Sequence, residues 1–233
     1  MDISFFVEHR DSIILSLDLF GTVIFAITGA LRGFRSRLDL LGVIVLACAV
    51  GVGGGMTRDA LLGATPVASF EDGRYLLLCA LTGLIFFYLG PRISFQWNVI
   101  PILDAVGLGV FTSIGCEKAM AYTQTPIAVI LCGVITAVGG GVIRDVLVMR
   151  IPAVLRSDFY ATASAIGGGI FLLLQNFVPS VNYYGRFLVV SVLVVMIRLI
   201  AMRFKFQLPI SHVLPLRKHL KHRSKHRQTI MKE

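Results

Sequence analysis

The chain is written twice. Displaced by 86 residues, it falls on itself without a gap. Leu17-Asp18 falls on Leu103-Asp104, Gly21 on Gly107, Phe25 on Phe111 and Gly29 on Gly115. Val52-Gly53-Gly54-Gly55 falls on Val138-Gly139-Gly140-Gly141, Arg58-Asp59 on Arg144-Asp145 and Pro66 on Pro152. The glycines, charges and prolines repeat while the plain apolar residues drift. One structural unit therefore has to serve at two places in the fold.

Both copies lie in long apolar runs. The chain of 233 residues is 56% hydrophobic and 15% charged, with mean hydropathy +0.81. A soluble domain carries about 25% charged residues. A spanning helix needs roughly 20 mostly apolar residues. Seven candidate spans follow, at 13–31, 40–62, 75–90, 99–116, 126–148, 159–176 and 186–202. Transmembrane strands would be about 10 residues long and would alternate, so the class is an all-α membrane protein. Asp2, Glu8 and Asp11 stand where a signal peptide is basic, so the first span is expected to stay as an anchor.

Each copy holds three spans. Three is odd, so the second copy enters the bilayer from the opposite side, and the copies become inverted repeats. The expected units are 13–90, 99–176, a seventh helix at 186–202 and a tail at 203–233. The tail holds nine Lys/Arg and one acid, Glu233, which is eight of the net nine positive charges. Positive charge after a last span marks the cytoplasmic side. With seven spans the N-terminus is then outside. Arg32, Arg35, Arg37, Arg92, Arg150 and Arg156 fall inside on this count, against Arg10, Arg74, Lys118 and Arg186 outside.

Glycine costs about 1 kcal/mol against alanine within a helix, so each triplet predicts a break in spans 2 and 5. The other reading of the same triplets is close helix packing. At a break, freed carbonyls could meet a cation. Asp59 and Asp145 would start the second half-helix, where carboxylates are favoured; Arg58 and Arg144 would not be. Each arginine therefore needs an acid. Matching depths along the spans pair Arg58 with Asp18 and Arg144 with Asp104, giving one charge cluster toward each face. A charge at mid-span costs about 2.5–3.5 kcal/mol on insertion scales. Such clusters lock helices together, line a path, or do both. Phe25 and Phe111, at equivalent places, are candidates for a hydrophobic gate or for core packing.

No catalytic constellation, cofactor fingerprint or metal motif emerges. The four cysteines lie in spans and read as packing residues. Gly51-x-Gly53 follows no strand and lacks a third spaced glycine. Beyond His9, the histidines are all in the tail, where a basic strip against anionic lipid fits better than metal or nucleic acid. Phe86, Phe87, Tyr88, Phe95 and Trp97 read as an interfacial aromatic belt.

Four stretches carry a family resemblance: LDLFGTVIFAITGALRG, GGGMTRDALLG, LDAVGLGVFTSIGCEKA and GGGVIRDVLVMRIP. The sequence resembles the prokaryotic branch of the trimeric intracellular cation (TRIC) channels, built of two tandem glycine transporter domains. The resemblance covers about residues 13–176. It implies a homotrimer with one pore per protomer, kinks at Gly53–Gly55 and Gly139–Gly141, and passage of potassium and other monovalent cations. Animal members bind a phosphoinositide through a basic motif near span 4. Here that region reads Gly115-Cys116-Glu117-Lys118-Ala119, so lipid gating is not carried over. The domain name records a rival activity, uptake of glycine or a similar amino acid. A non-transporting scaffold is a third reading, and it has no use for two charged glycine motifs.

Overall fold

A computed structural model describes residues 10–93, 99–155, 159–178 and 181–204. Among the described residues there are seven long helices: α1 (Arg10–Arg35), α2 (Leu40–Leu62), α3 (Arg74–Ile93), α4 (Val99–Met120), α5 (Pro126–Leu147), α6 (Ala161–Phe177) and α7 (Tyr183–Phe204). A single helical turn at Ala68–Glu71 and a 3-10 turn at Ala153–Leu155 lie between them. Helices α1, α2, α4, α5 and α7 are long and apolar enough to cross a bilayer, while 74–90 and 161–177 are shorter apolar helices. The basic tail from 205 on, Phe95, Trp97 and Arg156 lie outside the described residues.

Around a buried apolar core, many large apolar side chains face outward while the charged pairs at the ends of α2 and α5 are buried. Leu41 and Val45 are 68% and 55% exposed, and their partners at the repeat distance, Ile127 and Leu131, are 70% and 52% exposed. Arg58 and Arg144 are 2% and 1% exposed. Water would reverse that order; a hydrocarbon solvent explains it.

Each half packs its own three helices together, α1 with α2 and α3, and α4 with α5 and α6. Small residues set the spacing. A Cβ on Gly29 would lie 2.9 Å from the Leu46 carbonyl oxygen, and one on Gly115 would lie 2.9 Å from that of Cys132. These are the same contact 86 residues apart.

The halves meet where α2 crosses α5 and α1 meets α4. Here the expected breaks are corrected: α2 runs unbroken through Gly53–Gly55 and α5 through Gly139–Gly141. The glycines serve proximity instead. A Cβ on Gly54 would collide with the Thr136 carbonyl oxygen, and one on Gly140 with that of Val50. Gly139 faces the Gly54 Cα, and Gly53 faces the Ile143 side chain. Bare backbones thus approach as small-residue membrane interfaces do, and the close packing offsets the low helix propensity.

Helix α7 packs against α4 and α6 of the second half. Ser113 and Ser191 Oγ atoms are 3.1 Å apart, and Ser191 donates to the Gly109 carbonyl at 3.2 Å. In hydrocarbon such hydroxyls find partners on the neighbouring helix.

Candidate functional site

Because α2 is continuous, Arg58 and Asp59 sit near its C-terminal end and not at the start of a half-helix. Arg144 and Asp145 sit likewise in the last turn of α5. The helix dipole therefore favours the arginines there and not the aspartates, the reverse of the expectation from a break.

At the first end, Arg58 Nε donates to Asp59 Oδ1 at 2.8 Å. Lys118 Nζ, from α4 of the other half, reaches the same oxygen at 2.8 Å. The Ala68 amide donates to Asp59 Oδ2 at 3.2 Å. At the second end, Arg144 Nε donates to Asp145 Oδ1 at 3.0 Å, and the Ala153 amide donates to Asp145 Oδ2 at 3.0 Å. Arg32 Nη2, from α1, stands 3.9 Å from Asp145 Oδ1. Arg32 and Lys118 are themselves 86 residues apart. Each half thus sends a basic residue to the aspartate of the other.

The ends differ in the aspartate of the first helix. Arg144 Nη1 donates to Asp104 Oδ1 at 2.6 Å and to Thr28 Oγ1 at 3.1 Å. The corresponding Asp18–Arg58 pair is not formed. Asp18 Oδ2 instead accepts from the Tyr75 hydroxyl at 2.6 Å, and Arg58 Nη1 is buried without a protein hydrogen-bond partner. The expected pairing is thereby corrected for the first half. A tyrosine hydroxyl is a strong donor to a carboxylate, and it reaches Asp18 from α3.

Between the ends lie Phe25 and Phe111, 1% and 3% exposed. Their rings stack with centroids 5.2 Å apart. Phe25 rests on Gly107, whose Cβ would be 2.6 Å from the ring, and Phe111 on Gly21, at 3.1 Å. On one side of this pair, a cavity of about 20 Å³ is lined by Asp18, Thr22, Gly55, Arg58, Tyr75 and Phe111, among others. That is room for about one water. It adjoins a mouth of about 400 Å³ that shares Asp18, Arg58 and Tyr75 and adds Glu117 and Lys118. At the Asp145 end, Arg32, Asp145 and Arg150 line a mouth of about 520 Å³.

Sequence reasoning missed Lys118, Arg32, Tyr75 and Tyr160. The signal for the first two was the displacement of 86 residues itself, which lays Arg32 on Lys118. The tyrosines are offset from register by one residue and carried no such mark. No group of three His, Cys, Asp or Glu able to hold a metal occurs among the described residues.

Apolar outer faces, paired charges held within, and two matched three-helix halves define a polytopic helical membrane protein with polar mouths at both ends. The family model described as "Glycine transporter" matches residues 15–91 and again 101–176. The chain is 44% identical over 161 residues to a UPF0126 membrane protein of Vibrio cholerae, covering 67% of this chain and 66% of that protein. It is 40% identical over 195 residues to the UPF0126 inner membrane protein YadS of Escherichia coli, covering 83% and 93%. Its fold matches the crystal structure of the TRIC trimeric intracellular cation channel orthologue from Rhodobacter sphaeroides, with TM-score 0.79 and 32% identity over 84% of this chain and all of that one. A second TRIC cation channel structure, solved to explain conductance, matches with TM-score 0.77 and 35% identity over 85% and 97%. The chain belongs to this family: it is a prokaryotic TRIC-type membrane protein made of two tandem glycine transporter domains.

Proposed function

We propose that the chain forms a homotrimeric cation channel, permeable to potassium and other monovalent cations, with one path inside each protomer. One observation carries the reading: polar mouths open at both ends, one lined by Asp18, Arg58 and Lys118 and the other by Arg32, Asp145 and Arg150, and the stacked Phe25 and Phe111 stand between the ends, with Phe111 lining the small cavity of the first. A hydrophobic constriction between wetted mouths gates by dewetting. The phenylalanines then close the path, and the α2–α5 crossing at Gly54 and Gly140 is the hinge beside it.

Seven crossings and an inverted repeat suit the same geometry. Reciprocal contacts of the form Phe25 on Gly107 and Phe111 on Gly21 are what a two-fold axis between the halves produces, and three spans per half lay that axis in the membrane plane. This reading places the Asp59 end outside and the Asp145 end with the basic tail inside a bacterial inner membrane. The tail then lies against anionic lipid.

Potassium flux from liposomes holding the purified protein tests it, with and without glycine. Flux that ignores glycine and rises in Phe25→Ala and Phe111→Ala is expected. Saturable glycine uptake with little potassium leak would overturn the channel and make the same mouths a substrate site.

A further inference from the structure

Each half contributes an aspartate from its first helix, an arginine from the end of its second, and a tyrosine from the start of its third. In the first half these are Asp18, Arg58 and Tyr75; in the second they are Asp104, Arg144 and Tyr160. The halves hold the three groups in different pairings.

In the first half the Tyr75 hydroxyl bonds Asp18 at 2.6 Å, and Arg58 Nη1 has no protein partner. Gly55 lines the small cavity, and a Cβ there would meet only Arg58 Nη2, at 3.7 Å. In the second half Arg144 bonds Asp104 at 2.6 Å, and it is the Tyr160 hydroxyl that lacks a partner. A Cβ on Gly141 would again find the arginine Nη2, at 3.8 Å, but it would meet the Tyr160 hydroxyl first, at 2.8 Å. The hydroxyl that has no aspartate occupies the glycine face that is open in the other half. Both arrangements give the carboxylate one short charge-assisted bond, from a neutral hydroxyl in the first half and from a guanidinium in the second.

We propose that Tyr75 and Tyr160 are positioning residues of the ion path. In each half the tyrosine hydroxyl and the arginine guanidinium exchange as partners of one aspartate. The half in which tyrosine holds the aspartate is the one whose cavity reaches that aspartate and the phenylalanine pair: Asp18 and Phe111 line the small cavity of the first half, while the mouth at the other end is lined by Asp145 and not by Asp104. The structure captures one half in each arrangement. The seventh helix accounts for the difference. Arg198 of α7 lies over the Tyr160 ring, 4.9 Å from its centroid, and among the described residues no helix packs on the first half as α7 packs on the second. A cation over the ring holds Tyr160 on the glycine face and away from Asp104. The proposal rests on the cation path proposed above.

The test is Tyr75→Phe in the purified full-length protein, read in two ways. A structure of the variant should show Arg58 swung onto Asp18, as Arg144 is on Asp104. Potassium flux from liposomes should fall roughly tenfold, the weight of one hydrogen bond to a charged group. Adding Arg58→Gln should then bring flux back toward wild type, because nothing competes for Asp18. A merely structural role predicts the opposite, since a second buried lesion deepens the first. Asp18 and Arg58 still apart in the variant structure would overturn the exchange. A formed pair with unchanged flux, or a double variant worse than the single, would overturn its role in the path. A wild type that passes no monovalent cation would overturn the channel reading instead, and the variant structure would still decide the exchange. Tyr75→Phe and Tyr160→Phe keep the ring and so keep the fold; thermal unfolding of each checks this.

Discussion

The Asp59 end and the Asp145 end are assembled from matched residues, yet they hold their buried charges differently. At the Asp145 end the arginine bonds both aspartates, and the lateral base, Arg32, stands back at 3.9 Å. At the Asp59 end the arginine keeps one aspartate, Lys118 closes on it at 2.8 Å, and Asp18 goes to Tyr75. A duplicated sequence thus settles into two arrangements within one molecule. The surroundings that are not duplicated differ as well: α7 packs beside the second half, and the tyrosines stand one residue out of register. A bilayer around the bundle sharpens such differences, because the surrounding hydrocarbon offers a buried charge no partner.

Variants at the two ends separate these arrangements. The largest effect is expected from Asp104→Ala, which strips the nearly fully buried Arg144 of its shortest bond. Losing one partner of a buried ion pair costs about 3 kcal/mol. Asp18→Ala removes only a hydroxyl's acceptor and should cost about 1–2 kcal/mol. Thermal unfolding in detergent would order the two, and equal losses would mean that the ends are equivalent after all.

The crossing is the symmetric part of the molecule, so there the halves should respond alike. Gly54→Ala and Gly140→Ala each drive a Cβ into a backbone carbonyl and should each cost about 1–3 kcal/mol, as overpacking does. Gly55→Ala should be tolerated, because nothing but Arg58 Nη2 stands within 4 Å. A mild Gly54→Ala would place the helix contact elsewhere.

Removing the lateral bases tests the asymmetry from the side. Lys118→Met should lower stability by about 1 kcal/mol and Arg32→Met by less, since a charged bond at 2.8 Å is worth more than one at 3.9 Å. The smallest effect concerns the caps. Gly63 ends α2 at φ 69°, and at the repeat distance Met149 takes φ 56°. The left-handed region is natural for glycine and strained for other residues. Met149→Gly should therefore stabilise the second half by roughly 0.5–1 kcal/mol, and Gly63→Met should do the reverse to the first. Unfolding midpoints of the two variants would read this directly.

Much of the helix layout was legible in the chain, because an apolar run of about 20 residues has few other uses. Spans expected at 40–62 and 126–148 lie within a residue of α2 and α5. The first helix extends further than its apolar run, to Arg10–Arg35, since backbone hydrogen bonding continues where hydropathy stops. The glycine triplets were legible as special and misread as breaks: propensity argues for a weak helix, and only the facing backbone shows that the missing side chains are room for a neighbour.

The candidate site divides along the same line. That Arg58, Asp59, Arg144 and Asp145 require acids and bases near them follows from the cost of charge in hydrocarbon, and residue types alone carry it. Which acid or base answers is a matter of distance across helices. Lys118 reaching Asp59, Tyr75 taking Asp18 and Arg198 covering Tyr160 join residues 59, 57 and 38 positions apart in the chain. A duplicated, helical membrane protein with a glycine seam and two charged ends follows from the residues alone, because periodicity, hydropathy and the cost of buried charge are local or additive. The tertiary structure decided that the seam is a crossing, and that the two ends hold their aspartates differently, because close approach and partner choice exist only once the helices stand side by side.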